Sequence, residues 1–446
     1  MTDLVRTLRL RDLFLIVVGG VIGSGIFLVP TAVLNQVGQS VGLALLVWIC
    51  GGILALLGAF TYTELAAMKP EAGGLYIYIR DGFGRLPAFL YGWAMLLAIA
   101  SGAVAGLAAG FATYLGAIIP LGYVGSKLAS YGMIAVVTAL NVWGTRKSSD
   151  VQNLTTITKA LLVLGISLTL LLLGHNLSAS FANLLPTPGS TGLASKFGLA
   201  LITALWAYEG WHFAIYSAGE AVNPQRDYPR AIVIAVIVLV TLYLLANVSY
   251  LAALGPTRAA HSARIAADSV AALLGPGAAK LVTLTILISV LSGANSVILT
   301  APRVFYAMAK DRLFFAKLAE VHPRFRTPAA AVVLMGAWSC VLVSVGKFSE
   351  LIGYAIFVAW IFYALAGASI FVYRRKMPGL PRPYRVPLYP LPPLLFVLAA
   401  SLIVLNAIVS DFAHSAIGLG IVALGLPVYF VWARATRPRS REAAQE

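Results

Sequence analysis

The residues best equipped for chemistry in this sequence interrupt its most apolar stretches. The first group is Gly19-Gly20-Val21-Ile22-Gly23-Ser24-Gly25-Ile26-Phe27-Leu28-Val29-Pro30, with four glycines, a serine and a proline inside a long hydrophobic run. A helix broken there frees amides and carbonyls that lipid cannot satisfy, so the break is tolerable only where protein or a water-filled cavity covers it. The amides that open the second half-helix suit an anion, and the unwound carbonyls suit a cation. A zwitterionic amino acid presents both. Close packing of small residues against a neighbouring helix accounts for the same glycines in a blander way. The second group, Leu205-Trp206-Ala207-Tyr208-Glu209-Gly210-Trp211-His212, sets a carboxylate, a glycine and an imidazole among aromatic rings. The third is Lys159, in Thr155-Thr156-Ile157-Thr158-Lys159-Ala160-Leu161, well inside another hydrophobic segment. An ammonium at the centre of a membrane helix costs roughly +2.5 to +3.5 kcal/mol on insertion scales. It requires an acceptor cage, a function, or a stem that snorkels to the interface.

The elements that position these groups follow from composition. The chain has 446 residues, 60% hydrophobic and 11% charged, against roughly 25% charged residues in a soluble domain. A membrane helix needs about 20 apolar residues. Twelve segments qualify, near 12–37, 41–67, 88–117, 128–143, 150–173, 197–220, 231–254, 279–308, 328–346, 350–374, 391–410 and 414–434. The expected class is an all-α, polytopic membrane protein. The net charge of +16 does not point to nucleic acid. With the N-terminus in the cytoplasm, 25 of the 32 lysines and arginines fall on the cytoplasmic side, six fall opposite, and Lys159 lies inside a helix. The positive-inside rule accounts for that bias and places both termini in the cytoplasm. Arg6, Arg9 and Arg11 precede the first segment, which leads straight into further spans rather than to a cleavage site.

The two unusual segments are the first and the sixth. Segments one to five (about 12–173) and six to ten (about 197–374) are then corresponding halves, and the odd number five inverts the second half. Paired interruptions in matching helices are the sequence signature of a transporter's midplane binding site. Residues 1–376 form the expected ten-helix core. Residues 377–390 are a proline-rich cytoplasmic linker, 391–434 two accessory spans and 435–446 a cytoplasmic tail. Leu75-Tyr76-Ile77-Tyr78-Ile79-Arg80-Asp81 is amphipathic and expected near the cytoplasmic surface. Cys50 and Cys340 fall within predicted helices and read as small core residues. The five histidines, His175, His212, His261, His322 and His414, are scattered without metal-ligand spacing. No metal, no cofactor and no enzyme chemistry is expected.

With these residues in view, the chain resembles the amino acid–polyamine–organocation superfamily, and within it the L-type amino acid transporter family with its bacterial serine/threonine exchangers. The matching stretches are Ile22-Gly23-Ser24-Gly25-Ile26-Phe27, Tyr62-Thr63-Glu64-Leu65, Gly73-Gly74-Leu75-Tyr76, Ala207-Tyr208-Glu209-Gly210-Trp211, Asn223-Pro224 with Pro229-Arg230-Ala231, and His322-Pro323-Arg324-Phe325-Arg326-Thr327-Pro328. The resemblance implies a LeuT-type fold, a 5+5 inverted repeat with broken first and sixth helices, working by alternating access. It implies that a substrate carboxylate meets the Ser24 hydroxyl and the amides near Gly25 and Ile26. The α-amino group would meet carbonyls of Val21, Trp206 and Glu209, with Ile22, Gly23 and Ala207 in the same site. Trp206 falls on the family's aromatic gate. Lys159 falls where a lysine replaces the sodium ion of sodium-coupled relatives.

Two departures shape the functional expectation. The cysteine that links eukaryotic members to a glycoprotein heavy chain is missing from Ile118-Ile119-Pro120-Leu121-Gly122-Tyr123-Val124, so no disulfide-linked heavy chain is expected. Glu209 stands where neutral amino acid members carry a small residue and some members accepting cationic substrates carry an acid. The leading expectation is sodium-independent exchange of small neutral L-amino acids across the plasma membrane. Proton-coupled uptake through Glu209 and His212, and an exchanger that also takes cationic amino acids, are the alternatives. A sensor on the same fold is a further one, set apart by flux.

Overall fold

The computed structural model describes residues 4–182, 184–186, 192–345, 348–410 and 412–435. They are helical throughout, and extended pairing among them is limited to one isolated bridge between Leu8 and Ala221. The expected tail beyond residue 435 lies outside the described residues.

The first predicted span is two helices, α1 (Leu10–Val21) and α2 (Gly25–Gln36), bent by 46°. Asp12 opens α1 by accepting from the Arg9 amide at 2.9 Å. The helix stops because the Gly23 amide turns back to the Val21 carbonyl at 2.7 Å, which leaves the Gly19 carbonyl without its helical donor. α3 (Val41–Met68) starts on Ser40, whose hydroxyl accepts from the Leu43 amide, and stops before Pro70. α4 (Leu75–Phe83) follows a turn at Gly73 and Gly74, both in the left-handed region. In α4, Leu75, Tyr76, Ile77, Tyr78 and Ile79 are buried, while Arg80 and Asp81 are partly exposed and Phe83 is exposed. Its tyrosines pack inward because Gly74 is wedged against Tyr216.

α5 (Arg85–Ala94) runs through a π-helical turn, Met95–Ile99, into α6 (Ala100–Gly116). α7 (Tyr123–Val142), α8 (Thr145–Leu173) and a short α9 (Leu177–Ala182) complete the first half. The sixth span begins as α10 (Leu193–Ala207), turns at Gly210 with φ 111°, and resumes only as a 3-10 helix, Phe213–Glu220. α11 (Pro224–Ala260) is longer than the predicted 231–254. Pro224 fits its first turn without losing a hydrogen bond, and a kink at Gly255 continues the chain beyond the apolar run. Then come α12 (Ile265–Leu274), α13 (Ala279–Thr300), α14 (Pro302–Lys310), α15 (Ala329–Val345), α16 (Phe348–Lys376), α17 (Leu391–Ser410) and α18 (Phe412–Ala435).

Among the described residues nine helices are long and apolar enough to cross a membrane, and the bent α1–α2 pair makes ten. The other two predicted segments are shorter as helices. α15 has 17 residues, and the sixth span loses its helix at the break after the 15 residues of α10. α1 sits inside the bundle against α8, α11 and α13, while α2 packs on α10. The two interrupted elements are therefore neighbours at the centre, and α17 and α18 pack outside them on α3, α5 and α16.

Candidate functional site

The two breaks touch. A side chain at Gly25 would meet the Ala207 Cα at 2.7 Å, and one at Gly210 would meet the Gly20 carbonyl oxygen at 3.0 Å. Both positions are contact glycines, so close packing holds there. Gly23 differs: a Cβ on it would meet only the Val21 carbonyl oxygen, at 3.9 Å. Open space therefore lies beside Gly23. Ser24 caps α2 without any cap hydrogen bond from its side chain and is buried. The amides of Gly25 and Ile26, in the first turn of α2, have no acceptor within their own helix. An uncommitted hydroxyl and two amides at a helix start form an anion-binding arrangement.

The unwound carbonyls of the first break are held by side chains from three other helices. Lys159 is fully buried on α8, and its Nζ donates to the Gly19 carbonyl at 2.6 Å and the Ile22 carbonyl at 2.5 Å, with the Ser289 carbonyl at 3.4 Å. This acceptor cage, not the interface, receives the ammonium. Ser289 on α13 donates its hydroxyl toward the Ile22 carbonyl at 2.8 Å and the Gly23 carbonyl at 3.1 Å. Tyr243 on α11 places one hydroxyl 2.9 Å from the Val21 carbonyl and 3.0 Å from the Ala207 carbonyl, so a single proton ties the two breaks together. The Val21 carbonyl thus faces both Tyr243 and the Gly23 amide. The Trp206 carbonyl accepts from the Glu209 amide at 3.2 Å, and the Trp206 ring is half-buried where α10 ends.

The carboxylate of Glu209 is paired, with a donor the sequence did not suggest. Tyr363 on α16 donates to Glu209 Oε1 at 2.6 Å, whereas His212 Nε2 lies 4.0 Å away, beyond a hydrogen bond. A helix would put 209 and 212 on one face. The turn at Gly210 removes that geometry and sends the carboxylate toward α16. His212 is fully buried, and neither ring nitrogen has a hydrogen-bond partner among the described residues. It sits in a box of rings, with the Tyr363 centroid at 4.6 Å and that of Phe213 at 4.9 Å.

Two ion pairs hold the buried carboxylates Glu220 and Asp12. Glu220, at the end of the 3-10 helix, is clamped by Arg303 through Nε at 2.6 Å and Nη2 at 2.9 Å, with the Thr145 hydroxyl at 2.6 Å. Asp12 accepts from Arg146 Nη1 at 2.9 Å and Asn153 Nδ2 at 2.6 Å. The Leu8–Ala221 bridge joins the two clusters, with the Thr7 and Leu8 amides both donating to the Glu220 carbonyl at 2.9 Å. Among the described residues no group of three or more His, Cys, Asp or Glu side chains could hold a metal ion.

Comparison with known proteins decides the lineage of this arrangement. The model of the amino acid permease family matches residues 8–428. The chain belongs to the amino acid permease family. It is 30% identical over 418 residues to the serine/threonine exchanger SteT of Bacillus subtilis (strain 168), covering 93% of this chain and 94% of that protein. It is 32% identical over 437 residues to the b(0,+)-type amino acid transporter 1 of Rattus norvegicus, covering 97% and 88%. It is 32% identical over 425 residues to the large neutral amino acids transporter small subunit 2 of Mus musculus, covering 93% and 79%. This permease is a multi-pass membrane transporter of amino acids with the all-α build expected of a LeuT-type fold. Its relatives are transporters rather than enzymes. Cys50 and Cys340 are both free thiols.

Proposed function

We propose that the protein exchanges small neutral L-amino acids across the plasma membrane by alternating access, without sodium. The observation that carries this reading is the buried Lys159 ammonium on the Gly19 and Ile22 carbonyls. The Lys159 Nζ already occupies the place where those carbonyls would hold a coupling cation, and in its ammonium form it would repel a second cation. In this reading the substrate carboxylate takes the Ser24 hydroxyl and the amides of Gly25 and Ile26, beside the open space at Gly23. The Val21 carbonyl already faces two donors, Tyr243 and the Gly23 amide, so the α-amino group uses the Glu209 carbonyl and the second lone pair of the Trp206 carbonyl, which also accepts from the Glu209 amide. The Trp206 indole closes over the substrate and excludes water. Both termini lie in the cytoplasm, and no disulfide-linked heavy chain is required.

One feature supports a second reading. The Glu209 side chain is 23% exposed and, among the described residues, carries a single hydrogen bond, from Tyr363. A carboxylate with free acceptor capacity beside the break favours substrates whose own side chain is cationic. Proteoliposomes loaded with a panel of unlabelled amino acids separate the readings, with external labelled alanine or serine taken up in sodium or choline buffer. The proposal expects uptake that requires internal amino acid and is indifferent to sodium. Uptake into empty vesicles, or uptake lost in choline, refutes it.

A further inference from the structure

We infer that the cavity between the start of α11, Phe60 of α3 and the proline-rich linker binds an anionic phospholipid, its phosphate on Arg226 and Arg230 and its acyl chain along α11. The cavity holds about 640 Å³ and is bounded by Phe60, Arg226, Arg230, Val233, Ile234 and Tyr384, among others. That falls within the roughly 300–1,000 Å³ of ordinary ligand sites. No carboxylate lines it. Arg226 and Arg230 stand one helical turn apart on one face. Both are exposed, and neither guanidinium has a hydrogen-bond or ion-pair partner among the described residues. Other arginines on this side are held by carboxylates: Arg303 by Glu220, Arg146 by Asp12 and Asp150, Arg80 by Asp311, and Arg374 by Glu64. Two adjacent planar donors left without a carboxylate suit a phosphate, which arginine binds in a bidentate fork.

The occupant is a lipid because the charged end opens onto an apolar track. The face that carries Arg226 and Arg230 continues through Val233 into Ile234, Ile237 and Val238, which are 50%, 50% and 40% exposed. A phosphate at the arginines with an alkyl chain on this stripe matches the order of a phospholipid, whereas a free phosphate would leave the stripe unused. The opposite wall is rigid. Buried Glu64 accepts from Arg374 at 2.9 and 2.7 Å and from the Val386 amide at 2.7 Å, which pins the linker carrying Pro383 and Tyr384 over α3. Basic pockets beside membrane helices draw anionic lipid at about 1 kcal/mol per arginine or lysine.

The test uses the purified, delipidated full-length protein, titrated in neutral detergent with phosphatidylglycerol or phosphatidylcholine of the same chain length. Bound lipid is counted by native mass spectrometry. The parent should retain one phosphatidylglycerol at concentrations where phosphatidylcholine is lost. Arg226→Gln with Arg230→Gln should weaken retention about thirtyfold, while Arg324→Gln with Arg326→Gln, on the basic loop outside the cavity, should leave it unchanged. Glycerol phosphate should fail to displace the lipid, and Ile234→Asn should speed its release. Equal retention of the two lipids by the parent, which involves no variant, overturns the proposal. So does equal loss in the two arginine pairs, or displacement by glycerol phosphate as effective as by lipid. These outcomes are independent of whether the protein exchanges amino acids.

Discussion

Replacing Lys159 by alanine perturbs one nitrogen and the carbonyls it serves. The Ile22 carbonyl keeps the Ser289 hydroxyl at 2.8 Å, but the Gly19 carbonyl loses its donor. A buried acceptor left unsatisfied costs about 1–3 kcal/mol, and each charge-assisted hydrogen bond lost contributes about 1.5–3 kcal/mol. The desolvation of the ammonium, recovered when it is deleted, offsets part of this. A net of roughly 2–3 kcal/mol on the geometry of the break corresponds to a fall of about 30- to 150-fold in the substrate-ready arrangement. The apparent substrate Kd should rise by the same factor, since affinity scales with the competent fraction. Equilibrium binding of the best-exchanged amino acid to purified Lys159→Ala, with exchange in vesicles alongside, measures both. A monodisperse variant that binds and exchanges like the parent refutes a role for the ammonium in ordering the break. A lower Tm with unchanged affinity reduces Lys159 to a structural residue.

Trp206→Ala should weaken apparent affinity about tenfold with folding preserved, because the half-buried indole contributes roughly 1.5 kcal/mol of apolar cover; unchanged exchange kinetics reject the gate. Tyr363→Phe removes the donor at 2.6 Å from Glu209 and should increase arginine's competition with alanine, while Glu209→Gln should abolish any such competition. Arginine competing as well as alanine in the parent, and failing in Glu209→Gln, would establish the cationic reading instead. His212→Asn should leave the pH profile of exchange between about pH 5 and 8 unaltered, since the ring has no hydrogen-bond partner among the described residues and stands 4.0 Å from Glu209; a steep profile that flattens in the variant, with net uptake into empty vesicles, would show proton coupling. Arg303→Met strands Glu220 in a buried position and should cost about 3–5 kcal/mol, read as a lower Tm and poor recovery from the membrane, with partial rescue by Glu220→Gln in the same chain.

Several features were legible in the sequence because they are local. Glycines and a proline weaken a helix, so their cluster over residues 19–30 marked a break, although Gly19, Gly20 and Pro30 themselves lie inside α1 and α2. A lysine in an apolar run must find acceptors or snorkel to the interface, and the fold shows that its acceptors are the Gly19 and Ile22 carbonyls, 140 and 137 residues away.

What the tertiary structure alone decided concerns partners that are distant in sequence. Tyr243 and Ser289 sit in ordinary-looking membrane helices, and no neighbour in sequence marks the carbonyls they serve. The partner of Glu209 is 154 residues away, because a turn at Gly210 overrode the helical spacing that would have favoured His212. The pairs Glu220–Arg303 and Asp12–Arg146 lie 83 and 134 residues apart. Charged residues at the ends of membrane segments read as solvated interface groups until the fold shows which of them face inward. Glycine's two roles also divided only in space: Gly25 is pressed against Ala207, while Gly23 borders open space. Spacing along the chain sets where backbone groups are freed, and the packing of helices sets what satisfies them.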